Sequence, residues 1–190
     1  MAEFTTHTLE TAPEASKPLI EAVTAKFGFV PNLVGVLAES PAALKAYLMV
    51  AGSVEEGSLT PTEQQVVLMA TSFENACIYC MAAHSFVATS SGVPADVIES
   101  LRSGTGTAIA DPKLNAMVTL TREAVRNGGL VDAATTDAFM AAGYTNENLL
   151  DVITAIGQKM LSNYTNHFSN NQPDEPFAAH AWTKPELADH

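Results

Sequence analysis

Residues 60–84 read TPTEQQVVLMATSFENACIYCMAAH, and this stretch predicts how the chain folds around its only two cysteines. It opens with a helix start signal: Thr60 can cap the helix, Pro61 suits the first turn, and Glu63 completes a capping box. Apolar residues then continue at helical spacing. At Asn75 two arrangements stay open, because this residue can cap a new helix or lie inside a continuing one. If it caps, both cysteines fall in the first two turns, where the helix dipole stabilises a thiolate.

The chemistry of this stretch lies in Cys77, Cys80 and His84. Residues three and four apart share one face of a helix, so the three side chains can point to the same side. At about 100° per residue, His84 lies about 20° round the helix from Cys77. Two thiols and an imidazole so arranged can cycle between dithiol and disulfide while the imidazole handles protons. The group is a candidate reaction centre.

Helix signals recur along the rest of the chain. Ser40 and Asp111 each precede a proline and an apolar periodic segment, and Thr145 opens the longest helix. An apolar stripe on that last helix runs through Ile156 and Tyr164, and we interpret it as core or subunit interface. Convincing period-two alternation and short hairpin turns are absent from the sequence. The predicted fold is all-α.

The predicted organisation is a single domain over residues 1–190, with a core of about residues 26–177 and extended arms at both ends. A chain of 190 residues with 47% hydrophobic residues can bury a sizeable core and is neither disordered nor fibrous. The C-terminal arm contains Phe177 and Trp182, whose rings gain free energy by packing on a surface. We therefore expect this arm to lie against the core.

The charge of the chain excludes some classes of partner. Nine basic against 21 acidic residues give a net charge of −12, whereas nucleic acids and anionic membranes need clustered Lys and Arg. The first residues lack the layout of a signal peptide, and no apolar run approaches the ~20 residues that span a bilayer. We expect a cytoplasmic protein. In that reducing compartment a CxxC motif is typical of catalysis or metal binding.

Two other interpretations of the CxxC motif remain open. Both cysteines can be small buried hydrophobic residues with His84 as a core histidine, although the spacing favours a reaction centre. A structural zinc site needs four ligands, and the chain has no second CxxC, so no metal is expected. His167 continues the apolar stripe of the last helix and is predicted to face the core or a subunit contact, as a packing histidine or a supporting site residue.

The chain resembles the carboxymuconolactone decarboxylase superfamily, and within it the AhpD-like alkylhydroperoxidase branch. The residues that carry this resemblance are the helix 59–70 followed by the Cys-to-His motif at 77–84. Residues 27–33 are similar to the segment that precedes this core in the peroxidase-related members. Residues 142–152 and 163–167 are similar to their C-terminal helix. The resemblance implies an AhpD-like helical domain and a homo-oligomer.

The resemblance also implies a role for each residue of the motif. Cys80, paired with His84, would be the attacking thiol, and Cys77 would resolve the oxidised intermediate. Where the branch with peroxidase chemistry has a glutamate of a proton relay, this chain has Gln65, and Tyr79 replaces a frequent histidine. A neutral amide can hold a water but cannot take a proton as a carboxylate does.

The implied function is a thiol-dependent peroxidase-like oxidoreductase that acts on a small-molecule peroxide. It needs no separate cofactor, because the electrons pass through the two thiols, and it needs an external dithiol or protein reductant. Two alternatives stay open. One is a lyase or hydrolase acting on a small acid or lactone, as elsewhere in the superfamily. The other is a redox switch that uses the dithiol without turnover.

Overall fold

Helices form nearly all the regular structure of the computed structural model, which describes residues 3–105 and 109–185. The α-helices are α1 (Lys17–Phe27), α2 (Asn32–Leu37), α3 (Pro41–Glu56), α4 (Pro61–Glu74), α5 (Ile78–Ser90), α6 (Ala95–Ser103), α7 (Pro112–Arg126), α8 (Ala133–Ala141) and α9 (Asn146–Ser169). Short 3₁₀ helices span Glu14–Ser16 and Glu175–His180. No strand occurs within the two described ranges, and the prediction of an all-α fold is confirmed.

Helix α4 lies at the centre of the fold and packs against α5, α7 and α9. It begins as the sequence predicts: Thr60 Oγ1 accepts the amide hydrogen of Glu63 at 3.3 Å, and Glu63 Oε2 accepts that of Thr60 at 2.8 Å. Its side chains from Val66 to Phe73 are all buried. Because apolar residues surround α4 on every side, its position and rotation are set by packing rather than by one amphipathic face.

The other predicted helix starts are also confirmed. Ser40 caps α3 by accepting a hydrogen bond from the amide of Ala43, and Asp111 caps α7 by accepting one from the amide of Lys113. Thr145 forms a second capping box at the start of α9. Each cap satisfies a backbone N–H group that the first turn of a helix leaves without an intrahelical partner.

The buried apolar residues form two clusters on either side of α4. One joins α4 to α6, α7, α8 and α9. The other joins α1, α2 and the beginning of α5 to the C-terminal 3₁₀ helix, and it contains both cysteines. The CxxC motif therefore lies where the N-terminal helices, α5 and the C-terminal segment meet.

The two terminal segments lie along the helices. The amide of His7 donates to the carbonyl oxygen of Gly35 at 3.1 Å, where a Cβ atom would come within 2.8 Å of that backbone. Phe177 is buried, and Trp182 Nε1 donates to the carbonyl oxygen of Arg102 at 2.8 Å. The expectation that these two rings find a surface is confirmed.

Across the described ranges, none of the helices has the length and apolar character needed to cross a membrane. The division into one domain with a core at about residues 26–177 stays a prediction.

Candidate active site

The junction between α4 and α5 differs from both arrangements that the sequence left open. Helix α4 ends at Glu74, and Asn75 is its C-terminal cap, not the N-terminal cap of α5. Ala76 then has a φ of +53°, a left-handed conformation that a non-glycine residue adopts at a cost of about 1–2 kcal/mol. Cys77 is extended and forms the N-cap of α5. Asn75 does not cap α5, because that helix begins only at Ile78, and the Nδ2 of Asn75 instead donates to Asn163 Oδ1 of α9 at 2.9 Å.

This junction puts both cysteines at the N-terminus of α5. Cys77 is the N-cap and Cys80 is the third residue of the helix, so both thiols lie in the region where unpaired backbone N–H groups favour negative charge. Their side chains are buried, with exposures of 0% and 1%. The helix dipole can therefore stabilise a thiolate here, as the sequence predicts, although the N-cap of α5 is Cys77 and not Asn75.

Helix α9 supplies the hydrogen-bond partners of the Cys80 sulfur. Asn166 Nδ2 donates to Cys80 Sγ at 3.3 Å and lies 4.0 Å from Cys77 Sγ. The amide of Asn166 is itself oriented, because its Oδ1 accepts a hydrogen bond from Asn171 at 2.9 Å. Ser162 Oγ lies 3.7 Å from Cys80 Sγ on the same helix. The sulfur is surrounded by groups that can donate to a thiolate.

The two thiols differ in acidity. Burial raises the pKa of Cys80, but the hydrogen bond from Cys77 and the positive charge of Lys159 outweigh burial, so its pKa lies well below the usual value. The pKa of Cys77 is raised, first by its hydrogen bond to Cys80 and then by burial. Cys80 is therefore the more acidic thiol of the pair, and Cys77 is the thiol that donates to it.

His84 bridges two side chains on other helices. Its Nδ1 lies 3.0 Å from Gln65 Oε1 of α4, and its Nε2 lies 2.9 Å from Lys159 Nζ of α9. Burial and then the charge of Lys159 hold the pKa of His84 well below its usual value. The neutral ring thus donates from Nδ1 to the amide oxygen and accepts from the ammonium at Nε2. The role predicted for His84, taking the proton of Cys80, stays a prediction.

Lys159 is the site residue that the sequence analysis missed. Its exposure is 1%, and no ion pair formed by the described residues includes it. A signal for it exists, because the polar residues of α9 recur at helical spacing on one face: Gln158, Lys159, Ser162, Asn163 and Asn166. This polar face is the buried one.

The apolar stripe of the last helix is confirmed as core in its first half only. Val152 is buried in the core and Ile156 packs against it, whereas Tyr164 is 52% exposed. His167 is exposed as well, so it does not face the core. In the second half of α9 the buried side chains are polar, because they meet the thiols and the imidazole of α5. Whether the exposed stripe forms a subunit contact stays a prediction.

A cavity of about 450 Å³ opens beside the site and is lined by Cys80, His84 and Lys159. Most of its wall is apolar and comes from α1, α2, α3 and α5. Tyr47 and Gln158 add polar groups, and burial raises the pKa of Tyr47, so its hydroxyl is neutral. The buried thiol of Cys80 is therefore accessible to a small, largely apolar molecule.

The nearby glutamates face away from the thiols. Glu63 is held by the cap of α4, and Glu74 accepts two hydrogen bonds from Arg126 at 2.7 and 2.8 Å. Neither carboxylate replaces the relay glutamate at the position of Gln65. Within the two described ranges, no group of three His, Cys, Asp or Glu side chains is arranged to hold a metal ion.

Tyr79, the residue before the second cysteine, points away from the thiols. Its hydroxyl donates to Asp174 Oδ2 in the C-terminal segment, and Asp174 Oδ1 accepts the amide hydrogen of Asn32 at 3.0 Å. Burial and then the neighbouring carboxylate raise the pKa of Tyr79, so it stays neutral. It anchors the CxxC turn to two other parts of the chain instead of exchanging protons at the site.

One family model matches the middle of the chain. The model of the carboxymuconolactone decarboxylase family matches residues 38–123, a range that includes the CxxC motif and His84. This part of the chain is similar to the carboxymuconolactone decarboxylase family. No curated protein sequence matches it.

Two solved structures of peroxidase-related proteins share the fold of this chain. A peroxidase-related protein with an alkylhydroperoxidase AhpD core, from Ralstonia eutropha JMP134, is 24% identical with a TM-score of 0.80, over 93% of this chain and 96% of that chain. A peroxidase-related protein from Silicibacter sp. TM1040 is 21% identical with a TM-score of 0.78, over 93% and 95% of the two chains. Both resemblances extend well beyond the range of the family model.

The debrominase Bmp8 has the same fold. A cysteine-to-alanine variant of Bmp8, in complex with 2,3,4-tribromopyrrole, is 16% identical to this chain with a TM-score of 0.79, over 95% of this chain and 96% of that chain. At these identities the comparisons establish the AhpD-like fold and leave the reaction open.

Proposed function

We propose that this protein is a thiol-dependent peroxidase-like oxidoreductase in which Cys80 attacks the substrate and Cys77 resolves the intermediate. One observation carries the proposal: Cys80 lies at the N-terminus of α5 and lines the cavity, beside Cys77, whose hydrogen bond helps to hold the pKa of Cys80 well below its usual value. A thiolate is the reactive form of cysteine, and an adjacent second thiol allows an intramolecular disulfide.

The reaction has two steps on the protein. The Cys80 thiolate attacks the terminal oxygen of a hydroperoxide, the O–O bond breaks, and the leaving alkoxide takes a proton to become an alcohol. Cys80 is now a sulfenic acid. The Cys77 thiol attacks its sulfur, which forms the disulfide and releases water. An external dithiol then reduces the disulfide by thiol–disulfide exchange, so the cycle consumes two electrons for each peroxide.

The cavity supports an organic substrate over hydrogen peroxide. Its volume of about 450 Å³ and its largely apolar wall suit a hydrocarbon group attached to the reacting oxygen. Gln65 stands where the peroxidase-active branch has a glutamate, so proton delivery to the leaving oxygen must use another group. The rate with a peroxide therefore depends on the chain's own arrangement of His84 and Lys159.

The test is a peroxide titration of the pre-reduced protein, with cumene hydroperoxide and hydrogen peroxide compared by rate and by intact mass. We expect the organic peroxide to give a product about two mass units lighter, faster than it oxidises a free thiol. Cys80→Ser should abolish this product. Cys77→Ser, the matched control, should stop at a sulfenic acid about 16 mass units heavier. Oxidation at the rate of a free thiol, or the same rate without Cys80, would refute the peroxidase assignment.

A second candidate, reductive dehalogenation, is favoured by the same cavity and by the fold shared with a debrominase. The Cys80 thiolate would take the halogen from a small ring while the ring carbon takes a proton. The Cys77 thiol would then form the disulfide and release halide and a proton. A bromopyrrole offered to the reduced protein distinguishes the two reactions, because only dehalogenation releases bromide in step with disulfide formation.

The remaining expectations are proposals of lower detail. A lactone-acid lyase or hydrolase would keep its activity in Cys80→Ser and Cys77→Ser, whereas a redox switch would be oxidised once and its disulfide would not be reduced efficiently by any dithiol.

A homo-oligomer would bury the exposed apolar residues of α9, among them Leu161 and Phe168, which border a groove of about 520 Å³. Light scattering of the protein with Phe168→Glu as a variant tests that assembly. The cytoplasmic location also stays a proposal.

A further inference from the structure

Lys159 is a buried ammonium group without a carboxylate partner. Its exposure is 1%, its Nζ lies 2.9 Å from His84 Nε2, and the ion pairs among the described residues do not include it. Removing an ammonium from water is costly unless a negative charge or several hydrogen bonds compensate for it. One hydrogen bond to a neutral imidazole is weak compensation.

The groups that face the cavity leave one source of negative charge inside it. Lys26 of α1 and Glu55 of α3 pair with each other at the mouth, where both are more than half exposed. Tyr47 of α3 is half-buried and Tyr79 of α5 is buried, and desolvation raises the pKa of both hydroxyls. The thiol of Cys80 on α5 is the remaining group that can carry a negative charge; it lines the same cavity as Lys159, whose charge lowers its pKa.

We propose that Lys159 acts in the reaction as the counter-ion of the Cys80 sulfur and orients His84 in place of the missing relay glutamate. The geometry that supports this role is the chain of contacts from Gln65 through His84 to Lys159, which fixes the imidazole at both nitrogens. The inference rests on the proposed role of Cys80 as the attacking thiol.

The pairing explains how a buried site can stay neutral during the cycle. In the reduced form the ammonium of Lys159 balances the thiolate of Cys80. When Cys80 attacks the hydroperoxide its thiolate becomes a neutral sulfenic acid, and the ammonium gives one proton to the leaving alkoxide. The later step, in which Cys77 forms the disulfide and water leaves, changes no charge. In total, one hydroperoxide, one thiolate, one thiol and one ammonium react. They give one alcohol, one water molecule, one disulfide and one amine. No net charge is left buried in either state.

The experiment measures the acidity of Cys80 without any substrate. In a Cys77→Ser background, the rate of alkylation by iodoacetamide is followed against pH, so that only the thiol of Cys80 reports. We expect Lys159→Met to raise the midpoint by about 1–3 pH units, because an opposite charge at close range shifts a pKa by that amount. Lys159→Arg keeps the charge and should restore most of the shift.

Lys113→Met is the matched control, because this lysine is 47% exposed and pairs with Glu63 far from the thiols. It should leave the midpoint unchanged. If Lys159→Met does not fold, as judged by circular dichroism, the midpoints of Lys159→Gln and Lys159→Arg are compared instead. The first substitution removes the positive charge and the second keeps it. An unchanged midpoint in the neutral variants, or an equal rise in the arginine variant, would overturn the proposal. Because the assay contains no peroxide, its outcome is independent of the peroxide titration.

Discussion

Replacing Asp174 with alanine removes a carboxylate that joins three distant parts of the chain. Its two oxygens accept the hydroxyl hydrogen of Tyr79, inside the CxxC motif, and the amide hydrogen of Asn32, at the start of α2. Asp174 itself lies just before the C-terminal 3₁₀ helix, and its exposure is 8%. The substitution leaves two donors in a place that water reaches poorly.

The magnitude follows from the number of donors and their burial. A buried donor without a partner costs about 1–3 kcal/mol, so the free energy of unfolding of Asp174→Ala should fall by about 2–5 kcal/mol. Asp151 offers a matched control, because it also accepts one amide and one hydroxyl hydrogen, both from Ser58, but at an exposed site. Water replaces it there, so Asp151→Ala should cost about 1 kcal/mol or less.

Urea unfolding followed by the helical circular dichroism signal measures both variants against the parent chain. Limited proteolysis adds a local readout, since Asp174→Ala should release the segment around Phe177 from the helices and expose it to cleavage. Equal losses of stability in the two variants would refute the reasoning, because they would show that burial of the donors does not decide the cost. An intact C-terminal segment in Asp174→Ala would contradict the anchoring role.

Two further predictions concern stability. Gly104 has a φ of +78° and its added Cβ would lie 2.3 Å from the ring of Phe73, so thermal unfolding should show a loss of about 2–4 kcal/mol for Gly104→Ala. Gly28→Ala, also left-handed but with open space around it, should lose only about 1 kcal/mol, and equal losses would contradict the clash. Burial raises the pKa of Glu63, but the hydrogen bonds from Thr60 lower it below the unfolded value of about 4.3. Its stabilising effect is therefore complete above about pH 4.3 and disappears as the pH falls through the folded pKa. Unfolding measured against pH should be less acid-dependent in Glu63→Gln.

Local sequence signals predicted the helices well because each cap is a short-range interaction. The hydrogen bonds of Thr60 with Glu63 and of Thr145 with Asn148 join residues three apart, so the sequence contains both partners. The junction at Asn75 was not predictable in this way. Its side chain donates to Asn163, 88 residues away, a contact that the local sequence does not contain, and α5 begins only at Ile78.

The residues of the candidate site also fall into two groups, those that lie close together in the sequence and those that only the fold brings together. The spacing of Cys77, Cys80 and His84 predicted the candidate reactive group, because those residues lie on one short segment. Lys159 was missed because the second half of α9 buries polar residues, the reverse of the usual amphipathic pattern. The reason for that reversal is on α5, in the thiols and the imidazole that these polar residues meet.

The sequence by itself determined the all-α fold, the helix boundaries near their caps, the superfamily resemblance and the identity of the dithiol, since each depends on residues close together in the chain. Only the tertiary structure decided which thiol has the lowered pKa, which groups contact His84, and which side chains of α9 are buried. Those properties depend on electrostatic and packing contacts between α4, α5 and α9, and the residues that make them are separated by up to about a hundred positions.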